Sequence, residues 1–140
     1  MKKTINLLVI IIVLSNCKTK QPVGMEMPKD VKEIIIDMKA NLNEQGDAYN
    51  IDSLKVNEDI LSIFVQYSGG CQPHVFDLYN NGIATRSIPP QTTIILKHNA
   101  NKDMCRALIS QELKFNISKL KADKKATVIL IFGDGMKISY

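Results

Sequence analysis

The stretch LSIFVQYSGGCQPHVFDLYNNG, residues 61–82, holds most of what decides the fold. Leu61, Ile63, Val65 and Tyr67 alternate with Ser62, Phe64, Gln66 and Ser68. That period of two sets one face of a β-strand on a core and leaves the other toward solvent. Gly69-Gly70 ends the strand, and His74, Phe76 and Leu78 resume the alternation. Asn81-Gly82 is the pair best suited to a two-residue hairpin turn. Outward from this stretch, Leu54 and Val56 alternate before it, and Leu113, Phe115 and Ile117 alternate after Cys105. Ile83 to Ile88 and Thr92 to His98 read as extended on either side of Pro89-Pro90. Val128 to Phe132 is a short apolar strand, and Asp134-Gly135 a second two-residue turn leading into Met136 to Tyr140. Strands this short, with turns this frequent, predict a mainly all-β domain: an antiparallel β-sandwich or open barrel of seven to eight short strands.

A different pattern precedes them. Val31, Ile34, Ile35, Met38 and Leu42 fall on one face of a helix. Asp30 with Glu33 has the spacing of a capping box. These features predict a short N-terminal helix over about residues 30–43, with the β-branched run Ile34-Ile35-Ile36 arguing against it.

The first residues read as an address. Lys2 and Lys3 precede a nearly unbroken apolar run from Leu7 to Leu14, too short to span a bilayer, which needs about 20 apolar residues. A basic start, a short apolar stretch and a cleavage region describe a secretory signal over residues 1–16. Leu14-Ser15-Asn16-Cys17 resembles a bacterial lipobox, with Asn16 where Gly, Ala or Ser is usual. Cys17 is then the lipid-bearing first residue, and acyl chains such as palmitate, at about 0.8 kcal/mol per buried methylene, hold it on a membrane. Residues 17–28 form the lipidated N-terminus and tether, and residues 29–140 a single globular domain. The address is the cell envelope, outside the cytoplasm, on the outer membrane or the periplasmic face. Without Lys2 and Lys3 the chain carries 16 Lys and Arg against 14 Asp and Glu, interspersed, which excludes a nucleic-acid-binding character. The run KLKADKK at residues 119–125 reads as a solvated turn.

After Cys17 the other cysteines are Cys71 and Cys105, and the chain's histidines are His74 and His98, all four at strand ends. In an oxidising compartment Cys71 and Cys105 make an even pair for a disulfide. Closing a loop of about 35 residues stabilises by roughly 4 kcal/mol in the chain-entropy account. The alternative is a metal site, zinc or copper, with Cys71, His74, His98 and Cys105 as ligands. A thiol activated by His74 or His98 is a third reading, with no third residue at a spacing that would orient it. Either of the first two requires both cysteines at the same end of the domain. With a hairpin at Asn81-Gly82, that requires Ile83 to His98 to run as one path in one direction, bent at the prolines.

Tyr67-Ser68-Gly69-Gly70-Cys71-x-x-His74-x-Phe76, then Pro89-Pro90-Gln91, His98-Asn99, Asp103-x-Cys105 and Ile138-x-Tyr140, resembles a family of small Bacteroidetes lipoproteins over residues 53–140. More distantly it is similar to the β-rich NigD-like lipoproteins. The resemblance implies a lineage and an envelope address, and no mechanism. Within that lineage Asp52-Ser53-Leu54 is similar to an O-glycosylation acceptor, with Ser53 as the modified residue.

No residues stand out as catalytic: there is no paired-carboxylate or triad spacing and no glycine-rich phosphate loop. With no Trp and four Tyr, broad stacking platforms for glycans are lacking. The expected function is a non-catalytic binding or structural role in the envelope, without a cofactor. The expected partners are the membrane, through the lipid on Cys17, and another envelope protein. The alternative is a metal-binding lipoprotein using the Cys71/His74/His98/Cys105 cluster.

Overall fold

The computed structural model describes residues 30–121, 128–133 and 135–140. The signal segment, Cys17, the tether and Asp134 of the second turn lie outside these, as does most of the 119–125 run. Among the described residues no helix is long and apolar enough to cross a membrane.

Among the described residues nine strands follow one another: β1 (Val31–Glu33), β2 (Ile35–Ile36), β3 (Asn50–Asn57), β4 (Ile60–Gly69), β5 (Val75–Ala84), β6 (Gln91–Asn99), β7 (Ala107–Asn116), β8 (Ile129–Phe132) and β9 (Lys137–Ser139). A 3-10 turn, Ser118–Leu120, separates β7 from β8. They form two sheets, ordered β1-β7-β4-β3 and β2-β5-β6-β8-β9. The architecture is an all-β sandwich, as expected, and it is an open one. It has nine strands rather than seven to eight, and its sheets are mixed rather than antiparallel. The pairs β1/β7, β2/β5 and β6/β8 are parallel. The alternation in residues 61–67 does what its period implies. Leu61, Ile63 and Val65 are buried against Phe76, Leu78, Ile94, Leu96, Leu113, Phe115, Leu130 and Phe132.

The helix expected over residues 30–43 does not form. Val31–Glu33 pairs with the end of β7, Ile35–Ile36 pairs with Tyr79 and Asn80 of β5, and Ile34 is buried where the chain crosses between sheets. The amide of Ile34 donates to Asn116 O at 3.1 Å and that of Asp37 to Asn80 O at 2.9 Å. The helical face goes unused: Ile34 is buried while Met38 is 86% exposed. β-branched side chains fit this staple across two sheets better than they fit a helix.

The reversal between β5 and β6 is also displaced. Asn81-Gly82 lies inside β5, where the register passes from Asn80↔Ile94 to Ala84↔Thr92. The buried Asn80 side chain organises this bulge. Its Nδ2 donates to Thr92 Oγ1 at 2.8 Å and Thr93 O at 2.7 Å, and its Oδ1 accepts from the Gly82 amide at 2.8 Å. Gly82 takes φ +73°, a conformation that bulges and primed turns both demand, so the same residue pair serves either. The chain reverses instead over residues 85–90, where Thr85 N–H donates to Gln91 O at 2.8 Å and Gln91 N–H to Thr85 Oγ1 at 2.9 Å. Ile83 to His98 is therefore not one path. The number of reversals between Cys71 and Cys105 is unchanged, and both cysteines still reach the same end of the sandwich.

Candidate functional site

Three segments meet at that end: residues 45–49 before β3, residues 70–74 between β4 and β5, and residues 100–106 between β6 and β7. Strand parity places them together, since β4 and β6 finish there while β3, β5 and β7 begin there. Cys71 and Cys105 are joined in a disulfide with Cα atoms 5.8 Å apart.

Asp103 is the hub. Its Oδ2 accepts the amides of Gly70, Cys71 and Gln72 at 2.8, 2.9 and 3.0 Å, and its Oδ1 accepts the Cys105 amide at 2.9 Å. His74 Nε2 lies 3.2 Å from the same Oδ2, and both side chains are covered, 2% and 0% exposed. The Cys105 amide, then that of Gln72, with Cys71 and His74 adding, hold the carboxyl far below the usual carboxylate range against the effect of burial. This is the response expected of a carboxylate ringed by donors.

Beyond His74 the chain of contacts continues inward. Nδ1 of His74 is 2.8 Å from Nε2 of His98, and Nδ1 of His98 is 3.2 Å from Asp47 O. His98, at 4% exposure, stacks parallel on Phe76 with ring centres 4.2 Å apart. Tyr67 lies over His74 at 4.6 Å, and Tyr49 meets His98 edge-on at 5.9 Å. Burial first, and the neighbouring His74 after it, lower the proton affinity of His98, while the Asp47 and Ala48 backbone opposes them. Tyr67, raised by burial, donates to Gln111 Oε1 at 2.9 Å. The 45–49 segment is fastened alongside: Asp47 N–H to His98 O at 2.9 Å, His98 N–H to Gln45 O at 2.8 Å, Ala100 N–H to Asp47 Oδ2 at 2.6 Å. Gly46 has φ +81°, and a Cβ there would overlap the His98 carbonyl.

The four residues Cys71, His74, His98 and Cys105 thus converge, but not as a ligand set. Cys71, Asp103 and Cys105 offer atoms within 4.8 Å of one another. Both sulfurs are bonded to each other, however, and the imidazole nitrogens face one another, a carboxylate and a carbonyl. A zinc or copper site would have to break the disulfide and the histidine contact, so these residues fit a metal poorly. The Asp–His–His order resembles a general-base relay, yet it ends on a backbone carbonyl, with no nucleophile beyond it. Among the described residues every buried side-chain nitrogen and oxygen has a hydrogen-bond partner.

Asp103, Asp47 and Tyr67 are absent from the four-residue cluster expected from sequence. Asp103 had one readable signal, its place two residues before Cys105. Asp47 contributes a backbone carbonyl, which no sequence pattern marks. Elsewhere, Ser53 is exposed on edge strand β3, beside the register shift between Ile51 and Ser53. The closing Tyr140 is buried and donates to Asp59 Oδ1 at 2.5 Å, joining β9's end to the β3–β4 turn.

No family model matches the chain, and no curated protein matches it by sequence. Solved structures do share the fold. A Parabacteroides distasonis protein named as toxin-related is 23% identical with a TM-score of 0.55, over 79% of this chain and 60% of its own. A NigD-like immunity protein of Bacteroides caccae is 15% identical with a TM-score of 0.52, over 79% of this chain and 57% of its own. A Bacteroides fragilis protein named as a lipoprotein is 11% identical with a TM-score of 0.50, over 79% of this chain and 68% of its own. The chain spans under two thirds of the first two. At these identities the likeness concerns the fold.

Proposed function

We propose that this is a non-catalytic envelope lipoprotein domain that binds another protein through the loop end carrying the disulfide, while lipid on Cys17 holds it at a membrane. The observation that carries the reading is a division of labour in residues 99–108. Asp103 and Cys105 are engaged there, by backbone amides, His74 and the disulfide, whereas Met104 and Leu108 are 89% and 74% exposed. Lys102 and Arg106 are exposed in the same stretch. Asn101 and Lys102 take φ of +51° and +59°, left-handed conformations that asparagine enters readily and lysine only at a cost its surroundings offset. A loop held this firmly loses little freedom on binding, so apolar side chains displayed on it convert contact into affinity efficiently. The names of two structurally similar proteins, one toxin-related and one a NigD-like immunity protein, support partner binding over catalysis. The third, named as a lipoprotein, supports the envelope address.

A photo-crosslinking residue placed at position 104 in intact cells tests this. It should trap one discrete protein species that the same residue at position 55, on β3, does not trap. Leu108→Glu should weaken that adduct at least tenfold with thermal stability unchanged. Equal trapping from both positions, or none from 104, would sink the reading.

A further inference from the structure

The chain Asp103–His74–His98–Asp47 has an acceptor at each end: a carboxylate at one, a backbone carbonyl at the other. Between them lie four ring nitrogens and three contacts. The end contacts each need a proton on the ring nitrogen, Nε2 of His74 and Nδ1 of His98, because their partners can only accept. The middle contact, 2.8 Å long, needs one proton and tolerates neither none nor two. Three protons on two imidazoles is one more than two neutral rings carry. We infer that the closed arrangement holds this extra proton, with His74 as an imidazolium against Asp103 and His98 as the neutral Nδ1–H tautomer, and that the pair works as a pH-sensitive latch on the 45–49 segment.

The assignment of the charge to His74 follows from its neighbours. Asp103 faces His74 and stays ionised, whereas His98 faces carbonyl oxygens, the ring of Phe76 and the edge of Tyr49. Tyr67 lies over both imidazoles, Asp47 is a second carboxylate acting on His98, and Glu44, Asp77 and Lys97 line a cavity with it. Burial disfavours a proton on His98, in keeping with its staying neutral.

Removing the extra proton leaves two for three contacts. The carboxylate contact is the most favourable to retain. The middle contact is then made by His98 Nε2–H, and Nδ1 turns a lone pair toward Asp47 O, 3.2 Å away. Rising pH therefore switches the His98 tautomer and releases the Asp47 carbonyl. A fourth proton sets N–H against N–H at the middle contact, so strong acid opens the latch there instead. The closed form binds one proton more than the neutral one, so it is favoured as pH falls to that second limit. The inference holds whatever the domain binds.

Long-range nitrogen–proton correlation spectra of the 15N-labelled protein across pH read all four ring nitrogens. On the acid side of the step one ring should show both nitrogens protonated and the other the Nδ1–H pattern. On raising pH the pair should lose one proton in a single step, with His98 passing to Nε2–H. Exchange of the Asp47 amide should quicken in that step by roughly fivefold beyond the hydroxide effect. Asp103→Asn should abolish the coupled step and its tautomer change, and the unsubstituted spectra decide the matter if that variant does not fold. Two rings that titrate independently, or a proton lost with no tautomer change at His98, would overturn the inference.

Discussion

At Gly69 a Cβ would stand 2.5 Å from Nε2 of His74 and 3.1 Å from Oδ2 of Asp103. The first distance is shorter than real Cβ contacts allow, and the neighbour is an imidazole already fixed on its other side by His98. Ala at this position must push His74 off the carboxylate, so Gly69→Ala should destabilise the domain by about 1–3 kcal/mol, as overpacking does. Urea unfolding measures the loss, and the ring-nitrogen spectra should lose the His74–Asp103 signature in the same variant. The pair Gly69-Gly70 is readable in sequence as the end of a strand. What separates its two members is not readable there. Gly70 has φ +116°, a backbone reason to be glycine, whereas Gly69 is required by a side chain five residues on. Sequence patterns report local backbone demands and are blind to such approaches.

Among the elements, β5 shows why an asparagine–glycine pair misleads. A hairpin turn and a bulge both want a left-handed glycine with a polar residue before it, and what distinguishes them is whether the partner strand continues past. Here it continues, since β6 pairs with β5 on both sides of residues 81–83. Asn80 is the residue that commits the strand to the bulge, because its amide satisfies Thr92, Thr93 and Gly82 from a buried position. Asn80→Ala strips partners from buried groups and should cost about 2–4 kcal/mol, with the urea m-value unchanged. Ile83→Thr, at an exposed position of the same bulge, should stay within about 0.5 kcal/mol in that assay. The alternating runs in β4, β5 and β7 were legible because each turns its buried apolar residues to one face and the period of two survives any topology. The segment over residues 31–36 was not, because apolar residues with helical spacing suit a chain crossing between two sheets equally well. Only the β-branched triplet Ile34-Ile35-Ile36 hinted at the outcome.

For the molecule as a whole, the disulfide and Asp103 bind the same two loops by independent means, and their energetics should differ in kind. Cys71–Cys105 closes a sequence separation of 34 residues, so it acts mainly by restricting the unfolded chain, about 4 kcal/mol in the entropic account. Asp103 acts on the folded state, through four backbone amides, two of them those of Cys71 and Cys105 themselves. Its carboxyl is held far below the ordinary range, so its contribution is complete above the unfolded value and is lost only as pH falls through the folded one. The clamp therefore remains charged in mildly acidic surroundings, with or without the sulfur bond. Cys71→Ser combined with Cys105→Ser should then lower unfolding free energy by roughly 2–4 kcal/mol while the β-sheet circular dichroism and the histidine signals stay native. Adding Asp103→Asn should unlock the loops, with a loss exceeding the sum of the two separate losses, because either tie alone keeps the loops in register. Additive losses would mean that the two ties hold different structures. Collapse of the histidine signals in the cysteine variant alone would mean that the disulfide, and not the carboxylate, builds this end of the sandwich.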